Sequence, residues 1–398
     1  MNNHKPKTVA FLGGQWGDEG KGKVVDAVVA RWVRMLLEML DKIPVGQIIA
    51  ARCTGGPNAG HTVWDVLKFA FRLTPSAILH DKDGVVCIIG RGVTYDLLVQ
   101  TAELAMLDER GRSYNNLLIS QKAKLILPQH LLLDRLGESN AGEDKIGTTG
   151  RGVGPCCKDH VARIGLIVND LFNPDVFDEN LDRNMKDKWG EIAKAAPELV
   201  KQIMHHPDLG SGQFYSPAKG IDIDAVQSCF IERAEKIRDM VRNTDEYVQC
   251  HVGKSFIALE PAQGALLSID DGTYKYVTST DTTILGAAKG AGLHETQIDE
   301  VYNVIKGFYM TRVGEGPFPT EMGGKRSEDW CNKTKGLNKE MEIATYPDAS
   351  LNSEDDLLKG SAIRVKAHEF GTVTGRSRRV GWLDLTQLRY VLQLNGGK

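Results

Sequence analysis

The strongest chemical signal lies in Gly13-Gly-Gln-Trp-Gly-Asp-Glu-Gly-Lys-Gly-Lys23, set between an apolar run and a helical pattern. Glycines let successive backbone N–H groups approach phosphate oxygens, a helix N-terminus adds the positive end of its dipole, and Lys21 and Lys23 supply point charges. The segment reads as an anion cradle. As a Walker-type loop it fits from Gly17 through Gly22-Lys23 and then fails at Val24, where a Ser or Thr hydroxyl should hold magnesium. Asp18 and Glu19 would repel phosphate unless a cation or proton chemistry sits beside them. The plainer alternative is a tight turn with two solvated lysines.

Five further segments carry chemistry. Thr54-Gly-Gly-Pro-Asn-Ala-Gly-His-Thr62 puts His61 on a loop that cannot be helical, a place for an exposed chemical role or for a structural imidazole. Gly147-Thr-Thr-Gly-Arg-Gly-Val-Gly-Pro155, followed by Arg163, combines hydroxyls, bare backbone and arginines as a phosphate monoester requires; a surface loop is the alternative. Glu260-Pro-Ala-Gln-Gly264 ends a buried-strand pattern on Gln263, which can read an amide-like purine edge, and Val277-Thr-Ser-Thr-Asp281 lies just beyond. Thr311-Arg-Val-Gly-Glu-Gly-Pro-Phe-Pro-Thr-Glu321 is the fifth of the six segments. The last, Gly371 to Asp384, carries Arg376, Arg378 and Arg379 in a glycine/threonine loop: a solvated basic patch or, beside other anion loops, a receptor for carboxylate and phosphate. The seven cysteines include no C-x-x-C pair, which argues against a disulfide scaffold or a zinc site.

Holding these residues in place requires alternating strands and helices. Thr8–Leu12 reads as a strand, Gly13–Gly22 as a loop, and Lys23 onward as a helix with Val25, Val28, Val29, Trp32 and Leu36 on one face. Gly84–Gly90 reads as a buried strand, Leu97–Arg110 as a helix and Asn116–Leu127 as a strand. Two or three surface helices are expected in Pro174–Arg242, strands at Ser255–Glu260 and Tyr274–Thr278, a helix at Glu295–Phe308, and a polar surface excursion at Gly323–Lys366. The expected class is α/β, a P-loop-like nucleotide-binding fold with a large central, mainly parallel sheet flanked by helices. One domain is expected over 1–398, with a helical excursion at about 174–242 and a polar insertion at about 323–366.

With 398 residues, 41% apolar, and 49 Lys+Arg against 52 Asp+Glu, the chain can bury a large core and has no polyelectrolyte bias, so no nucleic-acid partner is implied. The apolar stretch Val24–Leu40 is broken by Asp26, Arg31, Arg34 and Glu38, so no membrane span is expected. The early run Thr8–Leu12 is too short for a secretion signal, and a cytoplasmic protein is expected.

In this order, from Thr8 to about Asn395, the six motifs resemble the adenylosuccinate synthetase family. The resemblance implies an enzyme that condenses IMP with L-aspartate, using GTP and Mg2+. It implies Asp18, His61 and Lys21 as the catalytic set, Asp18 taking the proton from N1 of the purine and His61 acting as the acid opposite. Gly17, Asp18, Glu19, Gly20, Lys21, Gly22, Lys23 and Arg378 would hold the triphosphate. Asn58, Ala59, Gly60, His61, Thr149, Gln263, Thr278 and Arg376 would hold the purine monophosphate, with Arg163 reaching it across a homodimer interface. Thr372, Val373, Thr374, Gly375, Arg376 and Arg378 would close over aspartate, and Asp18 with the Gly60 carbonyl would ligate Mg2+.

The sequence departs from the family at several points. Val373 stands where many members carry threonine, Pro57 precedes Asn-Ala-Gly-His, and 323–366 is longer than the usual connection. The family continues past the strand that follows Leu385–Leu394 into a Lys-Leu-Asp segment that reads guanine, whereas this sequence stops at Lys398; GTP is the nominal donor and ATP the alternative this implies. Viral-type relatives aminate dGMP toward a 2-aminoadenine nucleotide and often replace the base with serine, so Asp18 favours IMP over dGMP. A nucleotide-binding paralogue without catalysis is the remaining reading.

Overall fold

A computed structural model describes residues 5–40, 42–64, 67–142, 145–312, 314–332, 338–371 and 375–397. Strand β1 (Thr8–Gly13) leads through the glycine loop into helix α1 (Lys21–Leu37), which begins two residues earlier than its apolar pattern suggests. Then come β2 (Ile48–Gly55), the hairpin β3 (His61–Trp64) and β4 (Lys68–Phe71), β5 (Val85–Tyr95), α2 (Leu97–Glu109), and short strands β6 (Leu117–Ser120) and β7 (Lys124–Leu125). Five helices follow: α3 (Pro128–Asn140), α4 (Val153–Ala162), α5 (Pro174–Ile192), α6 (Pro197–Met204) and α7 (Ile223–Glu235). Next are β8 (Val241–Arg242), α8 (Thr244–His251), β9 (Phe256–Glu260), α9 (Ile284–Ala291), β10 (Glu300–Val304) and β11 (Tyr309–Arg312). Helices α10 (Gly324–Asn332), α11 (Lys339–Thr345) and α12 (Asp356–Ala367), strand β12 (Arg379–Trp382) and helix α13 (Leu385–Asn395) complete the described chain.

The central sheet runs β10-β1-β9-β2-β5-β6-β8, with β7 beside β5, and every pairing in it is parallel. A parallel sheet is covered on both faces, so its strands read as continuous apolar runs. Val9, Phe11, Ile48 and Ala50 pack with Val25, Val29, Trp32 and Leu36 of α1. Their neighbours Ala10, Leu12, Ile49, Ala51 and Cys53 pack the opposite face against Val248 of α8 and Ala287 and Ala291 of α9. Among the described residues, no helix is long and apolar enough to cross a membrane.

Three segments differ in secondary structure from the sequence expectation. Glu295–Phe308 is not a helix: a short turn leads into β10, which pairs with β1, because an open edge beside β1 selects the β-branched Val301 and Val304 for strand over their helical spacing. Tyr274–Thr278 is a chain of turns, with Thr278 N–H donating to the Leu267 carbonyl. Asn116–Leu127 splits into β6 and β7 around a turn closed by Ala123 N–H to the Ser120 carbonyl. The helices expected in 174–242 are α5, α6 and α7; that stretch sends Phe177, Leu181, Phe214 and Phe230 into the main core, and in 323–366 Cys331, Glu342 and Arg364 are buried within α10 to α12.

One charged pair crosses the centre of the sheet. Arg52 of β2 faces Glu260 of β9 in register, 3.1 Å apart, and both are buried. Glu260 also accepts from the backbone N–H and hydroxyl of Ser76, while Arg52 donates to the carbonyls of Ala59 and Arg72. Breaking a buried pair strands the remaining charge. Glu260→Gln should therefore lower the unfolding free energy by about 3 kcal/mol or more in a urea titration; a loss below about 1 kcal/mol would mean that the two carbonyls suffice for Arg52.

Candidate active site

Because β1, β9 and β2 are neighbours and run parallel, the loops that leave their carboxyl ends meet at one edge of the sheet. In open α/β sheets this edge is where ligands bind. The first loop, residues 14–20, opens into α1 at Gly20, where no side chain caps the helix and the first N–H groups stay available to an anion. Its two acidic residues point opposite ways. Glu19 is buried and accepts from the N–H groups of Gln15 (3.0 Å) and Gly17 (2.8 Å) and from Lys21 Nζ at 2.8 Å. Lys21 Nζ also donates to the carbonyl of Gln263 in the third loop. Asp18 is exposed on a left-handed backbone (φ 60°), its Oδ2 2.7 Å from Nε of Arg378. Gly17 and Gly20 have positive φ, Gly22 is buried and Lys23 is exposed.

The β2 loop supplies Asn58, Ala59, Gly60 and His61. The Asn58 Oδ1, both His61 ring nitrogens and the Thr54 hydroxyl are buried without a hydrogen-bond partner, while Gly60 is exposed. A Cβ on Gly22 would lie 3.5 Å from the His61 ring, so the imidazole stands over the first turn of α1. Burial, helped by the Arg52 charge, pushes the His61 imidazole down to about 4. At neutral pH it is a neutral hydrogen-bonding ring.

The β9 loop places Gln263 on a left-handed backbone (φ 57°), with Nε2 3.4 Å from the Thr278 hydroxyl and Oε1 buried without a partner. The 147–155 loop runs alongside: a Cβ on Gly154 would lie 3.4 Å from the Ser279 hydroxyl, and one on Gly147 3.8 Å from the Glu315 nitrogen. Thr149 on this loop is exposed, and Arg163 ends α4 exposed with φ 65°. The arginine loop is closed by Gly371 N–H to the Arg376 carbonyl at 2.8 Å. Within it Gly375 has φ 67°, while Thr372, Val373 and Thr374 lie outside the described residues. Arg376 is half-buried and donates to the end of α10.

The structure thus joins Asp18 to Arg378, Glu19 and Lys21 to Gln263, Gln263 to Thr278, and His61 to Gly22. Among the described residues, no hydrogen bond or ion pair ties the side chains of Thr149 or Arg163 to that group. Glu19, expected among the triphosphate ligands, turns its carboxylate inward to hold the loop, which leaves its backbone as the part that can face an anion. Arg52 and Ser76 lie outside the expected set, although a lone arginine inside the apolar run Ile48–Gly55 is a legible signal of a buried partner.

His61 gives a pH prediction. Its folded pKa of about 4 lies below the ordinary 6.5, so between those values the unfolded chain binds the proton and the folded chain does not. Stability is lost as pH falls from 6.5 toward 4. The His61 ring resonance should stay in its neutral position between pH 5.5 and 8 by NMR, and His61→Gln should lose less stability than the parent on acidification from pH 7 to 5. A ring that titrates near 6.5 would contradict its burial.

Residues 10–398 match the family profile described as adenylosuccinate synthetase. The adenylosuccinate synthetase of a Thermoanaerobacter species is 36% identical over 392 residues, covering 98% of this chain and 75% of its own length. That of Halothermothrix orenii is 38% identical over 387 residues, covering 97% and 74%. Among solved structures, a fully ligated adenylosuccinate synthetase from Plasmodium falciparum superposes with a TM-score of 0.70 at 29% identity, over 98% of this chain and 75% of that one. A cyanophage S-2L succinoaminodeoxyadenylate synthetase, bound to dGMP and to dATP as an energy donor, shares the fold at a TM-score of 0.56 and 17% identity, over 99% and 83%.

Proposed function

The chain belongs to the adenylosuccinate synthetase family, and from that premise we propose how its crevice performs the reaction. It is a carbon–nitrogen ligase of purine biosynthesis, joining L-aspartate to C6 of IMP with GTP as the energy donor. The likeness to the cyanophage enzyme is one of fold and gives dGMP no support. An amide-like C6 carbonyl does not yield its oxygen to an amine, so O6 must first become a phosphate ester. Asp18 removes the N1 proton, O6 attacks the γ-phosphorus as GDP leaves, and the neutral aspartate amine then attacks C6 and expels phosphate, its extra proton departing with the phosphate. His61, a neutral imidazole, donates a hydrogen bond to the developing charge on the transferred group.

The observation that carries this assignment of roles is the set of buried polar atoms flanking the loops. Asn58 Oδ1, Gln263 Oε1 and the His61 nitrogens have no protein partner, and unlike unpaired atoms elsewhere, such as Tyr95 Oη and Gln100 Oε1, they lie together on the loops that leave β2 and β9. A purine nucleotide offers N–H and ribose hydroxyl donors to the two amide oxygens and phosphate oxygens as acceptors to the imidazole N–H. The open start of α1, with Gly17, Gly20, Gly22 and Lys23, takes the triphosphate, and Thr149, Thr278 and Arg376 complete the monophosphate site. Gly375, Arg376 and Arg378 belong to the loop that receives aspartate. Lys21 acts through its contacts with Glu19 and Gln263, fixing the cradle.

Catalysis in the family is Mg2+-dependent. Among the described residues no group of three His, Cys, Asp or Glu side chains could hold a metal by itself. That fits Mg2+, which takes hard oxygen donors from one or two carboxylates and from substrate phosphates. The exposed Asp18 carboxylate and the Gly60 carbonyl would hold it, and it would neutralise charge on the phosphoryl oxygens.

Arg163 acts in trans in this reading. It projects from the end of α4 beside Val161, which is 79% exposed, as an apolar contact with a second copy would require.

Asp18→Asn should lose at least ~100-fold in kcat, with nucleotide binding retained by fluorescence titration; near-normal turnover would remove Asp18 from the chemistry. Mixing inactive Asp18→Asn with inactive Arg163→Leu subunits should restore partial activity, because one hybrid site carries neither lesion. No recovery, with heterodimers shown to form, would place Arg163 within its own chain or outside the site.

A further inference from the structure

Arg376 is fixed at both ends by the segment between Gly324 and Thr345. Its guanidinium donates through Nε to the Cys331 carbonyl and through Nη2 to Asn332 Oδ1, each at 2.7 Å, at the C-terminus of α10 where the helix dipole favours a cation. Its backbone neighbour Ser377 donates its hydroxyl to Glu342 at 2.7 Å. The same carboxylate accepts Trp330 Nε1 at 2.8 Å and Arg364 Nε at 2.7 Å, and Glu342 and Arg364 are both fully buried. Trp330, Cys331 and Asn332 are consecutive, so Glu342 holds the helix end that grips the guanidinium as well as the backbone that carries it.

We propose that Glu342 is a positioning residue for Arg376, acting through Ser377 on one side and through Trp330 and the Cys331–Asn332 helix end on the other. The longer 323–366 connection of this chain is thereby part of the substrate site's support. The proposal rests on the reading of Arg376 as a ligand of aspartate and the purine monophosphate. A guanidinium whose Nε edge is already engaged has its plane set before substrate arrives, and setting that plane in advance lowers the ordering cost of binding.

Glu342→Gln would leave Arg364 buried without its counter-charge, so the test uses milder changes. Asn332→Ala removes one charged hydrogen bond and should raise KM for aspartate and IMP about 10-fold, while kcat and KM for GTP stay within about twofold. Asn332→Asp, which restores the acceptor, should return both constants to near the parent. Trp330→Phe should shift the same constants in the same direction. In an Arg376→Leu background, Asn332→Ala should add nothing further. If Asn332→Ala raises all three KM values alike, or is as costly without Arg376, its role is structural and the proposal falls. If Arg376→Leu alone leaves KM for aspartate and IMP unchanged, Arg376 is no substrate ligand and the proposal falls with that reading.

Discussion

The carboxylate of Glu19 sits inside the loop that follows β1, bonded to two of that loop's own N–H groups and to Lys21, while Lys21 reaches the backbone of the β9 loop. With Glu19 turned in and neutralised, its neighbour Asp18 is turned out on a left-handed backbone, the only side chain of the pair that a substrate can meet. Two adjacent acids in a phosphate loop, contradictory on charge alone, thus have separate tasks. The tie also sets how close the two loops come. A Cβ on Gly264 would fall 2.3 Å from the Gln15 carbonyl and 2.5 Å from Glu19 Oε1, so no larger residue fits without breaking it.

The Arg52–Glu260 pair makes the corresponding link between β9 and β2, through Ala59 to the loop that carries His61. Together the two ion pairs lock three carboxyl-end loops into one surface. They also fix its electrostatics: the Arg52 charge beneath His61 works with burial to keep that ring neutral. The imidazole is therefore suited to hydrogen bonding, and positive charge at this edge of the sheet comes from Lys21, Lys23, Arg378 and the start of α1.

The parallel sheet and the β1-loop-α1 unit were legible because buried strands read as apolar runs and glycines mark the cradle. The edge strand β10 was not, since half-exposed Glu300–Val304 spaces its apolar residues as a helix would, and its strand character comes from β1 alone. Site motifs could be named from glycine, histidine and arginine content. Which acid faces inward could not, because Asp18 and Glu19 differ by one methylene and their orientation is decided by Gln15, Gly17 and Lys21. Glu342 was equally hidden: its partners Trp330, Arg364 and Ser377 are scattered through a polar stretch with no periodic signal.

The strand order has a consequence for biosynthesis. β1 emerges from the ribosome long before its neighbours in the sheet, β9 and β10: Thr8 pairs with Ile257 and Val9 with Glu300. Translation at ~5–20 residues per second leaves that strand without either edge partner for roughly 10–50 seconds. During this interval a largely apolar segment and the nascent cradle behind it are exposed to other chains. Such delayed pairing favours aggregation. The same long-range pairing that concentrates the loops in the mature protein lengthens the interval in which the growing chain is open to wrong partners.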